Sequence, residues 1–304
     1  MKVTEVSCRT ILTPTGGYLH GFTHTINPYY GCSLGGTLCG VPDYAPEIAR
    51  VRGEQRPWGS WLDAKTNAYE IYDQDYDRIR RSAKPGLRIY MSSVTDPWVP
   101  QEKTLRVTRG ILARMIARPP DALALQTHTP NPLWDIDLLE ELSRRFPLCV
   151  QISVETDRES LGPPFPPHAY PVAARLEALA ALRARGIRSV GVVAPLWPIA
   201  DMAAFARRLE AVCDFVVVDH YLLGDGSRDG ARTRRRLALA GGSFPDLLIA
   251  AGHEEWTRLE SLERVAEVMR GILGPDRVGV SRQGFQDAAR WAVQGDKMSA
   301  MRRA

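Results

Sequence analysis

Leu148-Cys149-Val150-Gln151-Ile152-Ser153-Val154 and Val190-Gly191-Val192-Val193 bound the stretch that decides the fold. Both are short apolar runs rich in β-branched residues, the pattern of strands buried on both faces. Between them Val172, Leu176, Leu179 and Leu182 recur at helical spacing, and Gly186 follows where a helix would stop. Strand, helix and strand in this order make a βα unit of a parallel sheet. The same rhythm extends outward. Leu87-Arg88-Ile89-Tyr90-Met91 and Ala122-Leu123-Ala124-Leu125 precede the unit, and Phe215-Val216-Val217-Val218 follows it. Leu247-Leu248-Ile249-Ala250 and Val278-Gly279-Val280 are weaker strand candidates, and residues 22–26 supply an early one. Helical patterns over 104–117, 137–146, 202–212 and 258–273 fill the gaps. Units repeating every ~30 residues predict an α/β fold, a partial or complete (β/α) barrel. A doubly wound open sheet is the alternative, although no G-x-G-x-x-G follows an early strand.

The 304 residues allow one large domain or two modest ones, and 44% apolar with 24% charged residues excludes disorder, collagen and coiled coil. A single barrel domain over 1–304 is expected, with an N-terminal extension over 1–21, an aromatic-rich inserted cap over 45–86 and a C-terminal extension over 223–304. The net charge of +4, from 39 basic and 35 acidic side chains, is too weak a field to demand nucleic acid. The one basic concentration, Arg228, Arg232 and Arg234-Arg235-Arg236, has the composition of a solvated face. Five dispersed cysteines do not make a disulfide framework. Met1-Lys2-Val3-Thr4-Glu5 lacks the pattern of a signal peptide, and no apolar run is long enough to span a bilayer. A cytoplasmic protein with no membrane partner is expected.

Barrel active sites sit at the C-terminal ends of the strands. The residues there are polar: Ser92-Ser93-Val94-Thr95-Asp96, Gln126-Thr127-His128-Thr129, Ser153 with Glu155, and Asp219-His220; Ala194-Pro195 follows the Val190 run. After the first candidate strand comes Asn27-Pro28-Tyr29-Tyr30-Gly31-Cys32-Ser33-Leu34-Gly35-Gly36-Thr37-Leu38-Cys39-Gly40-Val41-Pro42-Asp43-Tyr44. Two cysteines in a glycine-rich loop at a barrel mouth can hold iron, an iron–sulfur cluster or zinc.

This loop resembles that of the radical S-adenosylmethionine enzymes related to spore photoproduct lyase. The likeness starts at Asn27 to Cys32 and continues through Ser92 to Pro97 with Glu102 and Thr108-Arg109. It goes on at Gln126 to Thr129, Trp134 to Leu139, Ile152 to Asp157, Arg175 to Leu179 and Gly186 to Pro195. The resemblance implies a radical-SAM-type barrel, a [4Fe–4S] cluster and S-adenosylmethionine, cleaved to a 5′-deoxyadenosyl radical that abstracts hydrogen from a substrate. It implies Cys32 and Cys39 as ligands, with Asp43 where the relatives carry a third cysteine. Cys8 as the third ligand and a loop that no longer holds a normal cluster are the open alternatives. Ser93, Thr127, His128, Ser153, Glu155, Ala194 and Tyr44 are the implied cofactor contacts, with His128 in the place of a family lysine. An electron donor such as a flavodoxin or ferredoxin is implied too. The substrate, a small molecule, peptide or nucleotide, is left open. Two rival readings are a non-catalytic barrel that binds a metabolite or partner, and a zinc or iron hydrolase using Cys32, Cys39 and His24.

Overall fold

The computed structural model describes residues 1–16, 19–38, 53–82, 86–220 and 244–294. Its strands are β1 (Lys2–Val6), β2 (Thr13–Pro14), β3 (His24–Ile26), β4 (Tyr29–Gly31), β5 (Trp61–Lys65), β6 (Arg88–Met91), β7 (Ala122–Thr127), β8 (Leu148–Ser153), β9 (Arg188–Val193), β10 (Phe215–Val218) and β11 (Val278–Val280). Its helices are α1 (Ala68–Arg80), α2 (Glu102–Leu105), α3 (Val107–Ala117), α4 (Ile136–Ser143), α5 (Val172–Ala184), α6 (Met202–Val212), α7 (Phe244–Ala250), α8 (Leu259–Leu273) and α9 (Ser281–Gln294).

Eight strands form one sheet in the order β11-β10-β9-β8-β7-β6-β3-β2. Every neighbouring pair is parallel except β2 with β3. The order is linear, with β2 and β11 at its two ends, so the mixed α/β architecture is a partial barrel. Alternation along the strands divides the core in two. Leu123, Leu125, Val150 and Ile152 face outward and share a cluster with Leu139 and Leu142 of α4 and Leu176, Leu179 and Leu182 of α5. Ala124, Cys149, Val190, Val192, Phe215 and Val217 face inward, where Phe285, Ala288 and Ala289 of α9 cover them. The helix α9 starts directly after β11. Gly279 and Gly284 touch there, and a Cβ on Gly279 would lie 2.4 Å from the Gly284 Cα.

Several expectations change in detail. Residues 247–250 lie in helix α7 rather than a strand, because a four-residue apolar run carries no period of its own. The single helix expected over 104–117 is two, α2 and α3, joined at Arg106 with φ +53°. The described part of the expected cap holds β5, which pairs with β1 and β4 in a second, three-stranded sheet, and α1, which packs on α3. The expected terminal extensions contribute β2 and β11 to the main sheet. Among the described residues no helix is long and apolar enough to cross a membrane.

Candidate functional site

The cysteine loop is delivered by a change of sheet. β3 pairs with β6 in the large sheet, and after Asn27-Pro28 the chain enters β4, which pairs with β5 in the small one. Asn27 fixes this switch: its Oδ1 accepts from the Val94 N–H at 3.1 Å, and its Nδ2 lies 3.4 Å from Ser93 Oγ. The Tyr29 hydroxyl donates to Glu102, whose carboxylate also accepts from the N–H groups of Thr108 (3.1 Å) and Arg109 (3.0 Å). Glu102 thereby caps α3 from outside, which is why the helix restarts after Arg106. Gly31, the last residue before Cys32, has φ +72°, and a Cβ there would lie 2.6 Å from the Trp61 ring and carbonyl. Gly31→Ala is therefore expected to cost about 1–3 kcal/mol and to displace the loop. Urea unfolding and the metal content of the variant check this, and unchanged values would remove Gly31 from the loop's support.

The strand ends are tied by buried carboxylates. Asp96 accepts from Thr127 Oγ1 at 2.9 Å, from the His128 N–H at 2.7 Å and from the Trp98 N–H at 2.8 Å. Asp135 accepts from Trp98 Nε1 at 2.9 Å and from Arg109 at 2.5 Å. Glu155, 1% exposed, accepts from His128 Nδ1 at 2.9 Å and from Arg175 Nη1 at 2.5 Å. Arg175 also donates to the Ser153 carbonyl at 2.7 Å and to His168 Nδ1 at 3.2 Å. Burial alone would raise the Glu155 pKa, but Arg175 and His128 outweigh it and hold the carboxyl well below its ordinary range. For His128 burial works downward, and the bond to Glu155 reverses it, so the imidazole is raised.

On the inner face Gln151 and Ser153 alternate with Cys149, and Gln126 and His128 with Ala124. Tyr90 donates to Gln126 and lies 3.3 Å from Gln151. Ser153 and His128 lie next along their strands, and Glu155 joins them through His128. The lower inner face is thus apolar and filled by α9, while the upper part is polar. Ser153 Oγ and Ser92 Oγ are buried without a hydrogen-bond partner among the described residues. An unpaired buried hydroxyl on a polar inner face suits a polar ligand that would complete it.

Among the expected contacts, Ser153, His128 and Glu155 come together on this face, and Ala194 belongs to its apolar cluster. Ser93 sits beside Asn27 at the edge. Thr127 faces the opposite side, toward Asp96 and Thr129. Cys32 is 7% exposed at the start of its loop. Cys39, Asp43, Tyr44 and the basic concentration at 228–236 lie outside the described residues. Cys8 is buried, with its backbone N–H and carbonyl both bonded to the Asn67 side chain at 2.8 and 3.0 Å. Cys149 and Cys213 are core residues whose thiols burial pushes up to about 12. His24 bonds to Thr23, and among the described residues no group of three His, Cys, Asp or Glu could hold a metal ion. Sequence reading gives Tyr90, Gln151 and His168 no site role, and Arg175 only a place at the head of a matching stretch, because their roles depend on which face is enclosed.

No protein-family model matches the chain. It is 26% identical over 198 residues to an uncharacterized protein of Methanocaldococcus jannaschii, covering 65% of this chain and 69% of that one. It is 30% identical over 144 residues to an uncharacterized protein of Acidianus two-tailed virus, covering 47% of this chain and 45% of that one. Among solved structures it is similar to a cysteine-to-alanine mutant of spore photoproduct lyase with dinucleoside spore photoproduct, at TM-score 0.55 and 13% identity over 92% of this chain and 81% of the other. A cysteine-to-serine mutant of the same lyase matches with TM-score 0.57 over the same shares. The chain has the mixed α/β partial-barrel fold of spore photoproduct lyase, the fold its motifs implied.

Proposed function

We propose that the protein is a radical S-adenosylmethionine enzyme whose [4Fe–4S] cluster is held by Cys32, Cys39 and Asp43. The observation that carries this reading is the polar upper inner face, with the unpaired Ser153 hydroxyl, on a partial barrel whose strand ends also anchor the loop that begins at Cys32. When bound, the cluster and S-adenosylmethionine supply reductive carbon–sulfur cleavage and hydrogen abstraction from a substrate. The chain's part is to hold and orient. Ser153 and Ser93 offer hydroxyls to the cofactor, and Ala194 offers an apolar flank. His128 presents the edge of its ring opposite Nδ1, since Nδ1 faces Glu155. Glu155 is already engaged by His128 and Arg175, so it orients His128 rather than meeting the cofactor. A flavodoxin or ferredoxin as electron donor belongs to the same proposal.

A carboxylate is a harder ligand than a thiolate and holds cluster iron less firmly. Asp43→Ala is expected to lower iron content and 5′-deoxyadenosine yield after anaerobic reconstitution, and Asp43→Cys to raise iron retention above the parent. If Ala leaves both quantities unchanged, Asp43 is not a ligand, and Cys8→Ala becomes the variant to measure.

A further inference from the structure

A cavity of about 560 Å³ lies beside the array of Gln126, Gln151, Ser153 and Glu155, at the edge where β2 and β3 face the small sheet, and Ser93, one of the proposed cofactor contacts, forms part of its wall. Its size is that of a small-molecule site. Thr13 and Thr25 are paired across β2 and β3, so their side chains share a face, and Thr15 follows two residues on. The three threonine hydroxyls line the cavity and make no hydrogen bond among the described residues. The charged side chains in the walls are engaged by their neighbours. Lys65 Nζ donates to the Asn27 carbonyl at 2.5 Å and stands 3.9 Å from the Tyr30 ring centre. Glu54 and Asp63 are both paired with Arg56 at 2.7 Å. A wall of hydroxyls that donate and accept, beside charged groups already engaged by neighbours, suits a ligand of the same character. Tyr30, 45% exposed, carries Lys65 on one ring face, and its other face is the aromatic surface for the apolar face of a ring.

We propose that this cavity binds a neutral polyhydroxylated ring, a sugar, whose hydroxyls pair with Thr13, Thr15 and Thr25 and whose apolar face lies against Tyr30. A saccharide and the ribose of a nucleoside share this chemistry. Asn27, Tyr29, Tyr30 and Gly31 form part of the wall and lead into Cys32, so the ligand is held beside the cysteine loop. That it is the substrate rests on the proposed function; that it binds does not.

Trp58 lines the cavity and serves as the reporter. Tryptophan emission of the full chain, cluster-free and reconstituted, is titrated with maltose, uridine and inorganic phosphate. Saturable change with maltose or uridine and none with phosphate is expected, and whichever sugar acts identifies the source. Thr25→Val is expected to raise the Kd by about tenfold or more, as loss of one buried hydroxyl pairing does, with recovery in Thr25→Ser. Thr13→Val, on the two-residue edge strand, gives the same reading should Thr25→Val fail to fold. No saturable response to either sugar, a response to phosphate alone, or an unchanged Kd in the valine variants overturns the proposal. A chain that binds sugar but takes up no iron separates failure of the cluster reading from failure of this one.

Discussion

Glu155→Ala is expected to destabilise the protein by about 3–5 kcal/mol, the cost of leaving a buried partner charge uncompensated. The Arg175 side chain is 2% exposed and the Glu155 side chain 1%, so neither reaches solvent when the other is removed. Two further bonds of Arg175, to the Ser153 carbonyl and to His168, hold the guanidinium in place and prevent escape to water. The double replacement Glu155→Leu with Arg175→Met is expected to cost less than either single change, because it removes both charges and keeps the volume. The pH dependence has a definite sign. Glu155 is depressed in the folded protein, so its contribution is present above the unfolded carboxyl pKa of about 4.3 and is lost as pH falls below it. His128 is raised, so its contribution is present below about 6.5 and is lost as pH rises through the folded value. Urea unfolding of the parent, Glu155→Ala, the two single changes of the pair and their double replacement between about pH 3 and 9, where the unfolded carboxyl and imidazole titrate, reads all of this. A Glu155→Ala chain as stable as the parent would show that the pair is solvated.

Cys32→Ser is expected to abolish cluster binding with little change in fold. A hydroxyl has the size of a thiol but is a poor ligand for cluster iron. Cys32 is 7% exposed beside Gly31, where β4 is already paired with β5, so the backbone at this position is fixed without metal. Iron per reconstituted chain is expected to fall from about four toward zero, and 5′-deoxyadenosine to background, while the urea midpoint of the cluster-free protein stays close to the parent's. Retained iron would exclude Cys32 as a ligand.

The sheet was legible because its strands are buried on both faces and therefore read as short continuous apolar runs. The same rule misplaced residues 247–250, where Pro245 at the start and Asp246 in the first turn favour a helix. It also missed β5, whose partners β1 and β4 are fixed by long-range pairing. The break at Arg106 depends on Glu102 reaching over to Thr108 and Arg109, a tertiary contact that helical periodicity cannot register. Polar residues at strand ends pointed to Ser153, His128 and Glu155. Thr127 carries the same polarity but faces away, and only the pairing of β7 with β8 settles which of two neighbours looks inward. Arg175 sits on α5 and reaches Glu155 through the packing of helix on sheet, so neither spacing nor composition marks it.

The most direct test of the central claim is anaerobic reconstitution with iron and sulfide, followed by reductant and S-adenosylmethionine. About four irons per chain, a brown protein and 5′-deoxyadenosine that depends on both additions are expected. A colourless chain that yields no 5′-deoxyadenosine would contradict the claim and leave a barrel that binds ligands without radical chemistry.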